Sequence, residues 1–185
     1  GNGNDSLFGE NGNDFLWGGS GDDIMSGGSG DNVYAWGLGS GKDRIESYNE
    51  TVDHVDRLLI LGSLVSTDLT FRRIGSDLQI SIIGNNDSLR IKNAFNNLDD
   101  SNWNSMIGEI MFSNGSSMNA NDIQALSLIG NSQKDYLRGF IGNDVLNGFD
   151  GDDLLEGAAG DESRDKGRER DLEVSFHGVW WWWLA

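Results

Sequence analysis

The chain has 185 residues, with 30 acidic against 13 basic side chains and a net charge of −17. That balance speaks against nucleic acid and anionic membrane surfaces as partners, since both would repel it. Cysteine is absent, and so is proline, where average usage of about 5% would give roughly nine.

No disulfide can staple such a fold, so in an extracellular setting a bound metal must supply what cystines would. Nothing reads as a membrane span or a signal peptide. Gly1 already lies inside a repeat, so the chain is expected to be a fragment of something longer, and a cleaved leader stays open.

From the first residue a nine-residue beat runs through the chain. The units are GENGNDFLW (9–17), GGSGDDIMS (18–26) and GGSGDNVYA (27–35), with a partial unit before them. Position six holds Asp5, Asp14, Asp23 and Asn32, and position eight holds Leu7, Leu16, Met25 and Tyr34. Six Gly-rich residues form a turn whose carbonyls and carboxylate point to one side; the last three make a short strand with its middle side chain inward. One unit buries nothing, whereas stacked units share a narrow apolar core and gather turn oxygens from neighbouring coils. Hard oxygen ligands in such number suit Ca²⁺ better than zinc or iron.

The beat becomes irregular at WGLGSGKDRI, where Asp43 and Ile45 keep the six-and-eight relation but Asp43 lies eleven residues beyond Asn32. This run approaches a phosphate-binding loop, yet Trp36 replaces the first Gly and Asp43 the Ser or Thr, so an irregular repeat explains it better. Alternating apolar runs follow at 57–61, 69–74, 78–83, 89–94 and 110–112. They are punctuated by Gly62-Ser63, Gly75-Ser76, Gly84-Asn85-Asn86 and Asn114-Gly115. Period-two alternation with such turns predicts an antiparallel β-meander. Residues 121–128 fit one short helix, capped by Asn119 or Asn121. Asp53, His54 and Asp56 form a polar cluster better read as a solvated loop than as a metal site, and Asp99-Asp100 as a solvated pair.

The beat returns in GNSQKDYLR (130–138), GFIGNDVLN (139–147) and GFDGDDLLE (148–156), with Asp135, Asp144 and Asp153 at position six and Leu137, Leu146 and Leu155 at position eight. A further unit starts at Gly157, but Glu162 stands where Asp belongs and Arg164 where the apolar residue belongs. A charged run and four tryptophans (180–183) end the chain. Three origins compete for this tail: an artefact or frameshifted end, an aromatic cap on the last coil, or a divergent export signal.

The repeats resemble the RTX (repeats-in-toxin) family, whose haemolysin-type calcium-binding nonapeptide reads GGxGxDxUx. The segment between them is similar to the haemolysin-type calcium-binding-related domain, through DRLLILG, DLTFRRIGSDLQISI, DSLRIKNAF and EIMFSNGSSM. The resemblance implies an all-β fold: two short parallel β-roll blocks flanking a small antiparallel β-meander domain. The expected boundaries are 1–45, 46–127 and 128–161, with an irregular tail at 162–185. It also implies Ca²⁺ held at Asp5, Asp14, Asp23, Asp43, Asp135, Asp144 and Asp153, with Asn32 as a weaker, neutral substitute whose edge binds less well than the Asp-paired ones. Turns on one edge are two units apart, so ions would be shared by Asp5 with Asp23, Asp14 with Asn32, and Asp135 with Asp153. Secretion outside the cell or to its surface, through a type I machinery, follows from the same resemblance.

No H-E-x-x-H or G-x-S-x-G motif occurs, and His54 and His177 are the two histidines, so no enzyme is expected in this chain. Two roles then compete. One is a calcium-driven folding and secretion module of a larger protein, such as an exoenzyme whose catalytic domain lies elsewhere. The other is a structural or adhesive surface module, with Phe8, Phe15 and Trp17 facing outward towards glycans or partner proteins.

Overall fold

Each repeat unit delivers one short strand, since its last three residues are the part free of glycine. In the computed structural model, which describes residues 1–46, 55–95, 107–140, 144–157 and 163–165, these strands are β1 (Ser6–Phe8), β2 (Phe15–Leu16), β3 (Ile24–Ser26) and β4 (Val33–Gly37). The irregular unit gives β5 (Lys42–Ile45). Glycine is required at position four, where Gly3, Gly12, Gly21 and Gly30 have φ of 99°, 122°, 133° and 110°, a region that side chains disfavour.

The middle segment contributes longer strands: β6 (Asp56–Leu61), β7 (Leu69–Ile74), β8 (Asp77–Ile82), β9 (Ser88–Ile91), β10 (Ile107–Phe112) and β11 (Ser117–Asn119). Helix α1 (Ala120–Ser127) follows. Asn119 is its cap: Oδ1 accepts from Asn121 N–H at 2.8 Å and Asp122 N–H at 3.2 Å, while Asp122 Oδ2 accepts from Asn119 N–H at 2.9 Å.

The chain forms two compact units, Gly1–Ser127 and Leu128–Ala185. In the first, successive repeat strands alternate between two sheets, of order β1-β3-β5-β9-β8-β7 and β11-β10-β6-β4-β2. Position eight lines up in register as Leu7–Met25–Ile45–Ile91 in one sheet and Leu16–Tyr34–Leu58–Ile110 in the other. All but Leu7 are buried, so the inward row predicted for the repeats continues unbroken into the middle segment. Helix α1 packs on β7 and β11, the last strands of the two sheets, and on β10.

The all-β class expected from sequence holds, but the separation of parallel blocks from an antiparallel middle is corrected: both sheets are mixed. Strand β9 runs parallel to β5, and β6 runs parallel to both β4 and β10. Among the described residues, antiparallel pairing is confined to β7-β8-β9 and β10-β11. The physical reason is that a coil leaves two parallel edges open, and the next apolar strands pair with those edges before they pair with each other.

In the second unit, β12 (Tyr136–Arg138) pairs in parallel with β14 (Leu154–Glu156), and β13 (Val145–Asn147) with β15 (Ser163–Asp165). Leu137, Leu146 and Leu155 are buried at position eight. Arg164 lies in register with Leu146, so the unit that loses its apolar residue still keeps its strand. The four tryptophans and the rest of the tail, like Asp53, His54, Asp99, Asp100, Glu162 and His177, lie outside the described residues.

Candidate metal centre

Position six builds a ladder along the stack. Asp23 Oδ1 accepts from Asp5 N–H at 2.7 Å, and Asp43 Oδ1 accepts from Asp23 N–H at 2.8 Å. In the other column Asn32 Oδ1 accepts from Asp14 N–H at 3.0 Å, and Asp56 Oδ1 from Asn32 N–H at 2.8 Å. In the second unit Asp153 Oδ1 accepts from Asp135 N–H at 2.8 Å. The three pairs expected from the two-unit spacing are therefore each joined directly.

Position five runs a second ladder the opposite way. Asn4 Oδ1 accepts from Asp22 N–H, Asn13 Oδ1 from Asp31 N–H and Asp22 Oδ1 from Lys42 N–H, each at 2.9 Å; Asp31 Oδ1 accepts from Val55 N–H at 2.8 Å. Turns in the stack are thus tied to their neighbours by side chains reaching both forward and back. Close packing at position one explains its glycine: a Cβ on Gly9 would lie 2.6 Å from Asp14 Oδ2, and one on Gly18 would run into the Asp23 carboxylate.

This arrangement leaves oxygens facing inward without a proton donor. Asp14 Oδ2 and Asp23 Oδ2 are buried and have no hydrogen-bond partner. Asp23, Asp43 and Asp56 are all buried, as are Asp135 and Asp153 in the second unit. Burial pushes the Asp43 carboxyl up to about 7; the Asp23 backbone N–H opposes this, and the charges of Asp23, Asp22 and Asp87 add to it. Desolvated like charges are costly unless a cation or protons accompany them. Asp144 Oδ2 instead accepts from Phe140 N–H at 2.8 Å, and Asp135 Oδ2 from Asn131 N–H at 2.7 Å, each within its own turn.

Two acidic residues enter the turns that the repeat frame did not mark. Asp56, read as part of a solvated loop, is fully buried and extends the Asn32 column. Asp56-Arg57-Leu58 keeps the six-and-eight relation, and that was the available signal. Asp87, followed by the buried Leu89, has the same relation. Its carboxylate accepts from Gly39 N–H at 2.8 Å and Gly41 N–H at 2.9 Å, so the loop that approaches a phosphate-binding sequence is filled by the chain's own anion.

The sequence profile of the RTX calcium-binding nonapeptide repeat matches residues 1–34 and 129–161, in four copies. That of the haemolysin-type calcium binding protein related domain matches residues 77–122. The chain carries RTX calcium-binding repeats and the related haemolysin-type domain. No curated protein matches it.

RTX repeats bind Ca²⁺, and the turns described above fit that ion. Among the described residues no three carboxylate, imidazole or thiol groups gather at one point. A cage of side chains is therefore absent there, and the turn carbonyls have to complete the oxygen set, as Ca²⁺ allows. Asp23 and Asp43, with Asp5 in the same column, would hold it in the first unit, and Asp135 and Asp153 in the second. When bound, the ion supplies the positive charge that the buried carboxylates lack. The protein's own part is to bring those carboxylates and Gly-rich turns into one column.

Proposed function

We propose that this RTX chain is a calcium-dependent folding module of a secreted protein, without catalytic function of its own. Its stacked parallel strands would form a β-roll once the turns are neutralised. The observation that carries this reading is the column Asp5–Asp23–Asp43, in which a carboxylate is buried against the next turn, with the Asp23 Oδ2 left without a donor. Without Ca²⁺ these carboxylates repel, and glycine turns lose much entropy on ordering, which favours an unfolded repeat segment where calcium is scarce. Such a chain suits passage through a narrow type I export channel. At the higher calcium outside the cell, binding and folding become one event. Extracellular modules of this kind need affinities of only about 10⁻⁴–10⁻³ M. Any catalytic activity would then belong to another part of the protein.

Circular dichroism in chelator and in excess Ca²⁺ tests the reading: strand signal is expected to grow on adding calcium, and superimposable spectra would refute it. A second reading, an adhesive surface module, rests on Phe8, Phe15 and Trp17, which are 69%, 62% and 55% exposed. Apolar rings held in the open by a rigid stack suit stacking on sugar faces. A glycan array probed with the calcium-loaded chain, and giving no binding, would remove it.

A further inference from the structure

The turn carrying Asn32 differs from its neighbours by one atom, and that atom changes what the turn can hold. Asn32 is fully buried at position six. Its Oδ1 accepts from Asp14 N–H, the same bond that Asp23 Oδ1 accepts from Asp5 N–H. This bond fixes which end of the amide is oxygen, because a nitrogen there would face a donor. The other end, Nδ2, donates to Gly30 O at 3.0 Å and to Gly28 O at 3.3 Å, two carbonyls of its own turn. In the Asp23 turn the equivalent atom is Oδ2, buried and without a hydrogen-bond partner.

An ionised carboxylate oxygen has no hydrogen to donate to carbonyls, so the charged Asp turn needs a cation to join them, whereas the Asn turn joins them with its own N–H groups. Tyr34 completes the same arrangement from position eight, where the preceding units have Leu7, Leu16 and Met25. Its hydroxyl accepts from Gly27 N–H at 2.9 Å and reaches Asp56 Oδ2 at 3.4 Å. A neutral Asn acting as a calcium ligand would have to offer Oδ1, which is already engaged, and would leave its NH₂ beside the ion.

We propose that Asn32 closes its turn to calcium: the amide NH₂ stands where the ion would, and this coil is held together without metal. The inference rests on the calcium-folding reading of the other turns and deepens it. The first unit then contains a metal-independent staple between metal-dependent turns, from which the remaining coils can order when calcium arrives.

Calcium uptake by the full chain, measured by equilibrium dialysis beside circular dichroism in chelator, tests this with two variants. Asn32→Asp is expected to bind one more Ca²⁺ per chain than the wild type, and to lose strand signal in chelator. Asn32→Ala is expected to keep the wild-type uptake while its metal-free form melts at a lower temperature. Unchanged uptake by Asn32→Asp, or its failure to fold even in excess calcium, overturns the proposal. So does the loss of an ion from Asn32→Ala, which would make Asn32 a ligand. Those results leave the calcium-folding reading standing, whereas a wild-type chain that takes up no calcium overturns both.

Discussion

Residues 1–46 and the described residues between 55 and 127 share the same two sheets but are held in them by different forces. The repeat strands are two to five residues long; β2 and β3 each bury a single side chain, and β4, which buries Tyr34, Ala35 and Trp36, is the richest of them. Their cohesion comes from turns bonded to turns, through position-five and position-six side chains. The middle strands reach six residues and alternate buried positions with half-buried ones in Asp56–Leu61 and with mostly exposed ones in Leu69–Ile74. One half of the unit is ordered by polar groups that want a cation, the other by ordinary apolar burial. Mixed sheets allow the second to serve as a template for the first.

The largest effect expected from this contrast is a split response to chelation. Hydrogen exchange in chelator should strip protection from the amides of β1, β2 and β3 while those of β7, β8 and β9 keep much of theirs. Uniform loss or uniform retention would erase the distinction. Next in size is Leu89→Ala, which removes a fully buried side chain lying opposite Ile80. It should cost about 2–5 kcal/mol, with and without calcium alike, in denaturant melts.

A smaller and opposite-signed pair of effects follows from Asp43. Its carboxyl is raised from 3.8 to about 7 in the fold, chiefly by burial, so between those pH values the folded chain binds the extra proton. Metal-free stability attributable to this group is therefore present in acid and is lost as pH rises through about 7. The calcium needed for folding should move the other way and be greater at acid pH, because the ion competes with that proton. Titrations of the circular dichroism signal at several pH values check both signs.

The smallest effect concerns Asp77, where burial raises the carboxyl pKa but is outweighed by bonds from Lys92 Nζ at 2.8 Å, the Asn93 N–H at 2.9 Å and Arg90 Nε at 2.7 Å. Its pKa is lowered overall, so its contribution is present above the ordinary carboxylate range and lost in acid. Both cations are partly exposed, and Asp77→Asn should cost about 1 kcal/mol. Its melting shift should be the same in calcium and in chelator.

Much of the site was legible because the repeat fixes its own register. Once Asp and an inward residue recur every nine positions, Asp5 must meet Asp23, and Asp135 must meet Asp153. Asp56 escaped because its separation from Asn32 is 24, not 18, which hid a position-six residue inside a longer connection. Strand positions in the middle were legible from alternation, since β7 spans the predicted 69–74. Strand direction was not, because alternation is the same in parallel and antiparallel pairs. The partners β5 and β9 are brought together over more than forty residues, with no local signal to announce it.

Helix α1, resting on the last strand of each sheet, gives the stack a direction of growth. Gene duplication that adds a nonapeptide pair beside β1 and β2 meets the outermost strand of each sheet and needs no new contacts elsewhere. The same insertion beside β7 or β11 would have to displace the helix and expose Ile123, which is fully buried. Repeat number in this architecture can therefore drift at one end while the other stays constant in length.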